Sequence, residues 1–169
     1  MAASVSGETD VRSPRRRSFF VFAAGVAQAG VDLVRVFKAE RRMELVDDGK
    51  AIRGYAIALG ANPVGHKQRE GDERTPEGRY VLDWRNSGSA FHKSIHISYP
   101  DAADRAAAAA RGESPGGDIM IHGQPNGWGW WGFLLQTVDW TNGCIAVTDA
   151  EIDEIWALVP DGTPIEIKP

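Results

Sequence analysis

A chain of 169 residues is long enough for one domain with a proper core, and its 43% hydrophobic and 25% charged content is that of an ordinary globular protein rather than a fibre or a disordered tail. A net charge of −4 and an isoelectric point near 5.6 supply no basic face for neutralising phosphates, so nucleic acid is excluded as a general partner. A single cysteine rules out a disulfide within the chain.

The first segment, "SPRRRSFFVFAAGVAQAG", sets Arg15, Arg16 and Arg17 before a short apolar run that ends in Ala27-Gln28-Ala29, the layout of an export signal. The run falls short of the ~20 residues a membrane-spanning helix needs, which favours cleavage after Ala29 over a lasting anchor. Arg16-Arg17-Ser18-Phe19-Phe20 also resembles a twin-arginine signal, so that route and the general secretory one both stay open. Residues 1–29 are therefore read as an export signal and 30–169 as the folded domain, destined for the periplasm or cell envelope. Removing four arginines against two acids, Glu8 and Asp10, takes the net charge from −4 to −6.

From residue 31 the pattern is mostly β. "VDLVRVFKA" and "RRMELVDD" alternate as strands, Asp48-Gly49 is a two-residue hairpin signal, and "KAIRGYAIALG" returns until Gly60 stops it. The polar, glycine- and proline-rich "ANPVGHKQREGDERTPEGRY" reads as a long loop, and loops of that length in compact domains tend to be functional. "RYVLDW" resumes the strand pattern. In "FHKSIHISY", Phe91, Lys93, Ile95 and Ile97 point one way and His92, Ser94, His96 and Ser98 the other. His92 and His96 share the spacing of a zinc-binding helix, but on a strand they stand about 13 Å apart, too far to share an ion.

Asp101 caps an alanine-rich surface helix that Gly112 and Pro115 end. "DIMI" then reads as a buried strand carrying His122 at its end, a position that suits either a cleft or a histidine satisfied by backbone. Trp128, Trp130 and Trp131 crowd a glycine-punctuated loop, which fits a binding groove or plain packing equally. Thr148 and Glu151 form a capping box for the helix "DAEIDEIWALV", and "PIEI" supplies the last strand.

Cys144 lies between the turn Thr141-Asn142-Gly143 and a short apolar strand. Counted alone, a lone exported thiol is an inert core residue, half of an intermolecular disulfide, or a nucleophile. A glycine before it permits a tight turn and an accessible amide beside the sulfur, as an oxyanion hole requires.

The ordered fragments "NPVG", "TPEGRY", "IMIHG" and "WTNGCIAVT" resemble the L,D-transpeptidase (YkuD-type) catalytic domain family over roughly residues 30–169. The resemblance implies a mainly β fold, a β-sandwich of mixed sheets with one or two short peripheral helices. It implies Cys144 as nucleophile, His122 as general base and acid, and Gly143 and Asn142 as the oxyanion turn. His96, Arg79, Trp128, Trp130 and Trp131 are the candidates for substrate binding. No metal or other cofactor and no obligatory protein partner is implied. The substrate would be a peptidoglycan stem peptide, acylated onto Cys144 and passed to an amine as a 3→3 cross-link, with carbapenems as inhibitors. A thiol hydrolase of peptidoglycan or of a protein-to-peptidoglycan linkage, and a non-catalytic wall-binding module, are the alternatives. Two departures stand out: Asn142 where the family commonly has histidine, and Ala146 where it often has arginine. The 22 positions from His122 to Cys144 make a somewhat long spacer, and it carries the tryptophans.

Overall fold

The computed structural model describes residues 30–169, so the export signal read at the N-terminus lies outside the described residues. Eight strands run β1 (Leu33–Phe37), β2 (Arg42–Asp47), β3 (Lys50–Ala56), β4 (Gly78–Asn86), β5 (Ser94–Ile97), β6 (Met120–His122), β7 (Ile145–Ala146) and β8 (Thr163–Lys168). Three helices accompany them: α1 (Ala102–Ala110), α2 (Gly132–Leu135) and α3 (Asp149–Leu158).

The strands form one sheet in the order β3-β2-β1-β8-β4-β5-β6-β7, parallel at β1–β8 and β6–β7 and antiparallel elsewhere. The chain beyond β3 then meets the opposite edge. Ala58 and Ala146 exchange backbone hydrogen bonds of 3.0 and 2.8 Å, and Thr141 bonds Leu59 and Ala61 in the same way. The sheet therefore curls until its two edge strands touch, which leaves no long unpaired edge beside β7. Inside the curl sit Val34, Leu45, Ile57, Leu82, Ile97, Ile121, Ile145 and Ile165, all fully buried, each contributing about 1.5–3 kcal/mol of apolar transfer.

The mainly β architecture with mixed pairing and short peripheral helices agrees with the sequence reading. A third short helix, α2, occupies the tryptophan segment. The Asp48-Gly49 turn forms with both residues at positive φ, closing the β2–β3 hairpin. Both helix caps form as read: the Asp101 side chain accepts from Asp104 N–H, and Thr148 and Glu151 close a reciprocal box. α3 lays Ile152 and Ile155 onto the core beneath β6 and β7.

The long loop 61–77 is tied down rather than free. Buried Lys38 donates from Nζ to Gly65 O (2.7 Å), Thr75 O (2.9 Å) and Glu77 Oε1 (2.8 Å). Asp72 accepts from Lys67 Nζ and from the amides of Gln68, Arg69 and Arg74. Burial alone would push the Asp72 carboxyl up, but these donors outweigh it and hold its pKa at about 2. This loop packs its main chain at Arg74 against Gly143, the residue before Cys144.

Candidate active site

β6 and β7 run side by side in parallel, with Ile121 opposite Ile145 and His122 opposite Ala146. Alternation along each strand places His122 and Cys144 on the same face. Both line one cavity of about 330 Å³, shared with Phe91, Asp118, Trp140 and Asn142. The two residues read as nucleophile and base are thus brought together by the register of two very short strands.

His122 is buried and its Nδ1 lies 2.7 Å from Gly123 O. A carbonyl only accepts, so Nδ1 carries the hydrogen and Nε2 is left bare. Burial pushes the imidazole below the ordinary histidine range, partly opposed by that hydrogen bond. His122 is therefore neutral at pH 7 with its basic nitrogen free. Phe91 lies against one side of the ring at 4.6 Å between centroids, and Trp140 meets it edge-on at 5.8 Å.

The Cys144 sulfur accepts from Met120 N–H at 3.4 Å, and its thiol lies 3.6 Å from Asp118 O. Burial pushes this thiol above the ordinary cysteine range, while the Met120 amide and the charge of Lys67 pull the other way. At neutral pH the site thus holds a thiol beside a neutral imidazole, which suits proton transfer during attack better than a preformed thiolate–imidazolium pair.

The turn before Cys144 is braced at Asp139, Thr141 and Gly143. Asp139 takes a two-pronged ion pair from Arg41 and accepts Leu59 N–H at 2.9 Å. Thr141 Oγ1 donates to Cys144 O (2.7 Å) and accepts Gly143 N–H (3.1 Å). The Gly143 amide is thus committed inside the turn. Gly143 has φ 119°, and a Cβ there would lie 2.6 Å from Arg74 O. Across the same junction a Cβ on Gly60 would lie 2.0 Å from Glu73 O and 3.0 Å from Gly143 Cα. Three stretches of main chain meet here too closely for side chains. Asn142 is the exposed member, at the rim of the cavity.

The remaining candidates lie elsewhere. His96 on β5 stacks on Trp84 (4.8 Å, 18°) with Nδ1 2.6 Å from Asp83 Oδ1, and does not line the thiol cavity. His92 contacts Asp153 instead, so the two histidines serve separate carboxylates. Arg79 on β4 is open to solvent and pairs with Glu166 at 3.2 Å. Trp128 and Trp130 stand 56% and 72% exposed at the start of and within a 3-10 turn (Gly129–Trp131) leading into α2, the Trp131 ring tilted at 40° against Trp130, and none of the three lines the cavity. The aromatic walls are Phe91 and Trp140 instead. Neither was singled out in the sequence as a site residue, although Trp140 falls inside the "WTNGC" fragment.

A family model described as the L,D-transpeptidase catalytic domain matches residues 32–167. The protein YafK of Escherichia coli strain K12, whose name assigns it provisionally to the L,D-transpeptidases, is 32% identical over 133 residues, covering 75% of this chain and 46% of YafK. The chain thus spans just under half the length of the curated relatives it matches. Among solved structures, the helical cell shape determining protein Pgp2 from Campylobacter jejuni superposes with a TM-score of 0.62 at 23% identity, over 80% of this chain and 46% of that one. The LD transpeptidase LdtMt1 in complex with imipenem superposes with a TM-score of 0.52 at 13% identity, over 80% and 58% respectively. At these identities the structures speak for the fold.

Proposed function

The chain belongs to the L,D-transpeptidase catalytic domain family, and from that premise we propose that it is a cysteine-dependent acyltransferase acting on peptidoglycan stem peptides. The observation that carries this reading is the shared cavity of Cys144 and a neutral His122 with its Nε2 free. Cys144 Sγ attacks the carbonyl between the third and fourth residues of a stem tetrapeptide while His122 Nε2 takes the thiol proton. The Cys144 amide, at the turn held by Thr141, meets the developing oxyanion. Collapse breaks the C–N bond, His122 returns the proton to the departing D-alanine amine, and a thioester on Cys144 remains. An amine from a second stem then attacks the thioester, gives its proton to His122, and leaves a 3→3 cross-link as the thiol is restored. Water in the amine's place would make the same intermediate a hydrolase. Asn142, at the rim, is positioned to offer a side-chain amide to the incoming peptide. A peptidoglycan substrate puts the reaction outside the cytoplasmic membrane, in accord with the export signal read over residues 1–29.

The test is intact mass after incubation with a carbapenem, a class to which the imipenem bound in the LdtMt1 structure belongs. A covalent adduct is expected on the wild type and none on Cys144→Ala. A well-folded wild type that takes up no adduct would count against Cys144 as nucleophile. Purified tetrapeptide muropeptides then separate the outcomes: new dimers support transfer, and loss of existing cross-links without new ones assigns hydrolysis instead.

A further inference from the structure

With His122 neutral and the Cys144 thiol protonated, Asp118 is the only residue lining the thiol cavity that carries a charge at pH 7. It stands close to the sulfur, since its own carbonyl lies 3.6 Å from Cys144 Sγ. Among the described residues its carboxylate has no ion pair. Lys67, the cation lining the adjoining cavity, is taken by Asp72 at 2.9 Å.

A lone carboxylate in this place works against the nucleophile. Burial does most to keep the Cys144 thiol above the ordinary cysteine range, and the Asp118 charge pushes it the same way. What that charge favours is a cation. The acyl-transfer reaction supplies one twice, because the departing and the entering amine are each ammonium ions in water at neutral pH, and both occupy the same position on the acyl carbon. Water, the competing acceptor, is uncharged and gains nothing from Asp118. The adjoining cavity, of about 400 Å³, shares Gly117, Asp118 and Asn142 with the thiol cavity and adds Glu70 and Glu73, so the approach to the thiol from that side is acidic as well.

We propose that Asp118 recognises the acceptor: its carboxylate holds the ammonium group of an incoming amine beside Cys144 and so favours an amine over water at the thioester. The ammonium gives one proton to solvent before it attacks. As the new C–N bond forms and the C–S bond breaks, a second proton passes by way of His122 Nε2 to Cys144 Sγ. The assignment rests on the acyl-transfer reading for the identity of the reaction.

Binding is measured by calorimetry on full-length Cys144→Ala protein, which cannot turn over. The probes are an N-terminally blocked stem tripeptide with a free amine on its third side chain, and the same peptide acetylated at that amine. The free amine is expected to bind about three- to tenfold more tightly at low salt, the modest range an exposed carboxylate gives, and the preference should shrink as salt rises. Asp118 has φ 54°, which asparagine tolerates as well as aspartate, so Asp118→Asn removes the charge and should abolish the preference. Asp118→Gly, also at home at that φ, is the second variant should the first prove unstable. With Cys144 present, Asp118→Asn should lower the ratio of dimer to hydrolysed peptide by about three- to tenfold, yet quicken acylation by a carbapenem, since the thiol and the drug's carboxylate both lose a negative neighbour. A residue that merely shaped the loop would slow both. Equal binding of the two peptides, a preference that survives loss of the Asp118 charge or high salt, or a variant slowed in carbapenem acylation and dimer formation alike overturns the proposal. The carbapenem adduct on the wild type is read separately: an adduct without amine preference sinks only the role of Asp118, and an Asp118-dependent preference without an adduct sinks the acyl-transfer reading.

Discussion

The indole of Trp140 meets the imidazole of His122 edge-on, with ring centroids 5.8 Å apart, and Phe91 closes another side at 4.6 Å. This aromatic enclosure keeps water from the ring and so favours its neutral form. Since the imidazole titrates below the ordinary histidine range, the rate of thioester formation should rise with pH along a limb that lies on the acid side of that range and be flat through neutrality. Single-turnover acylation across pH 4–9 checks this. A limb that instead followed a cysteine-like titration on the alkaline side would mean that a preformed thiolate is required. His122→Ala should keep the fold and lose about two to four orders of magnitude in acylation rate.

Opening the enclosure should move that limb. Trp140→Leu and Phe91→Leu each let water reach the imidazole, so the acid limb should shift upward toward the ordinary histidine value, with rates at high pH changed less than rates at low pH. A merely structural role for either ring would lower the rate equally at all pH values. Among the described residues the buried Nε1 of Trp140 has no partner, so Trp140→Phe removes no hydrogen bond seen there and should preserve more of the pH profile than Trp140→Leu.

How much of this site could be read from the sequence varied with how local its cause was. Cys144, the Thr141-Asn142-Gly143 turn and His122 at a strand end were legible because each follows from neighbouring residues: a glycine-bearing turn, a short apolar run, a strand stopped by Gly123. The walls were not. Phe91 reaches His122 because β5 pairs with β6, and Trp140 because β7 pairs with β6, pairings that join residues far apart in the chain. Trp128, Trp130 and Trp131 drew notice by their density, yet the 3-10 turn that carries them points their rings to solvent. His96 and Arg79 were plausible by residue type, but each is occupied by a neighbour, Asp83 and Glu166, that strand alternation alone does not reveal. The bracing of loop 61–77 by Lys38 joins residues 27 to 39 positions apart, and no motif announces it.

That bracing has a pH signature through Asp72. Its folded pKa of about 2 lies below the unfolded value, so between the two the unfolded chain binds more protons. The contribution is fully present above about pH 4, amounts to about 2 kcal/mol, and is lost as pH falls toward 2. Asp72→Asn should therefore lower the melting temperature by several degrees at pH 7 and leave a shallower loss of stability between pH 4 and 2 than the wild type shows. Scanning calorimetry of the two proteins across that range tests the sign. Parallel acid profiles would mean that Asp72 is not the group anchoring the loop.

The junction of Gly60, Gly143 and the 73–74 main chain should be the least tolerant spot in the site. Gly143→Ala places a methyl 2.6 Å from Arg74 O at a φ of 119°, and Gly60→Ala places one 2.0 Å from Glu73 O. Each obstacle is backbone, and the Glu73 carbonyl accepts Asn62 N–H, so neither can swing aside as a side-chain tip would. A non-glycine residue at such a φ costs about 1–3 kcal/mol before any clash, and overpacking adds about as much again for Gly143→Ala. Gly60→Ala carries the clash without the unusual φ. Gly49→Ala is the control, since its φ is 74° but nothing lies within 4 Å of the added carbon. Chemical denaturation should rank Gly143→Ala as the most destabilised, with Gly49→Ala losing only the conformational share. Because the junction sets the position of the Cys144 amide, Gly143→Ala protein that still folds should acylate more slowly at saturating carbapenem, whereas Gly49→Ala, in the distant β2–β3 turn, should acylate at the wild-type rate. Equal stability of the two variants would show that the loop yields at this point and does not hold the turn.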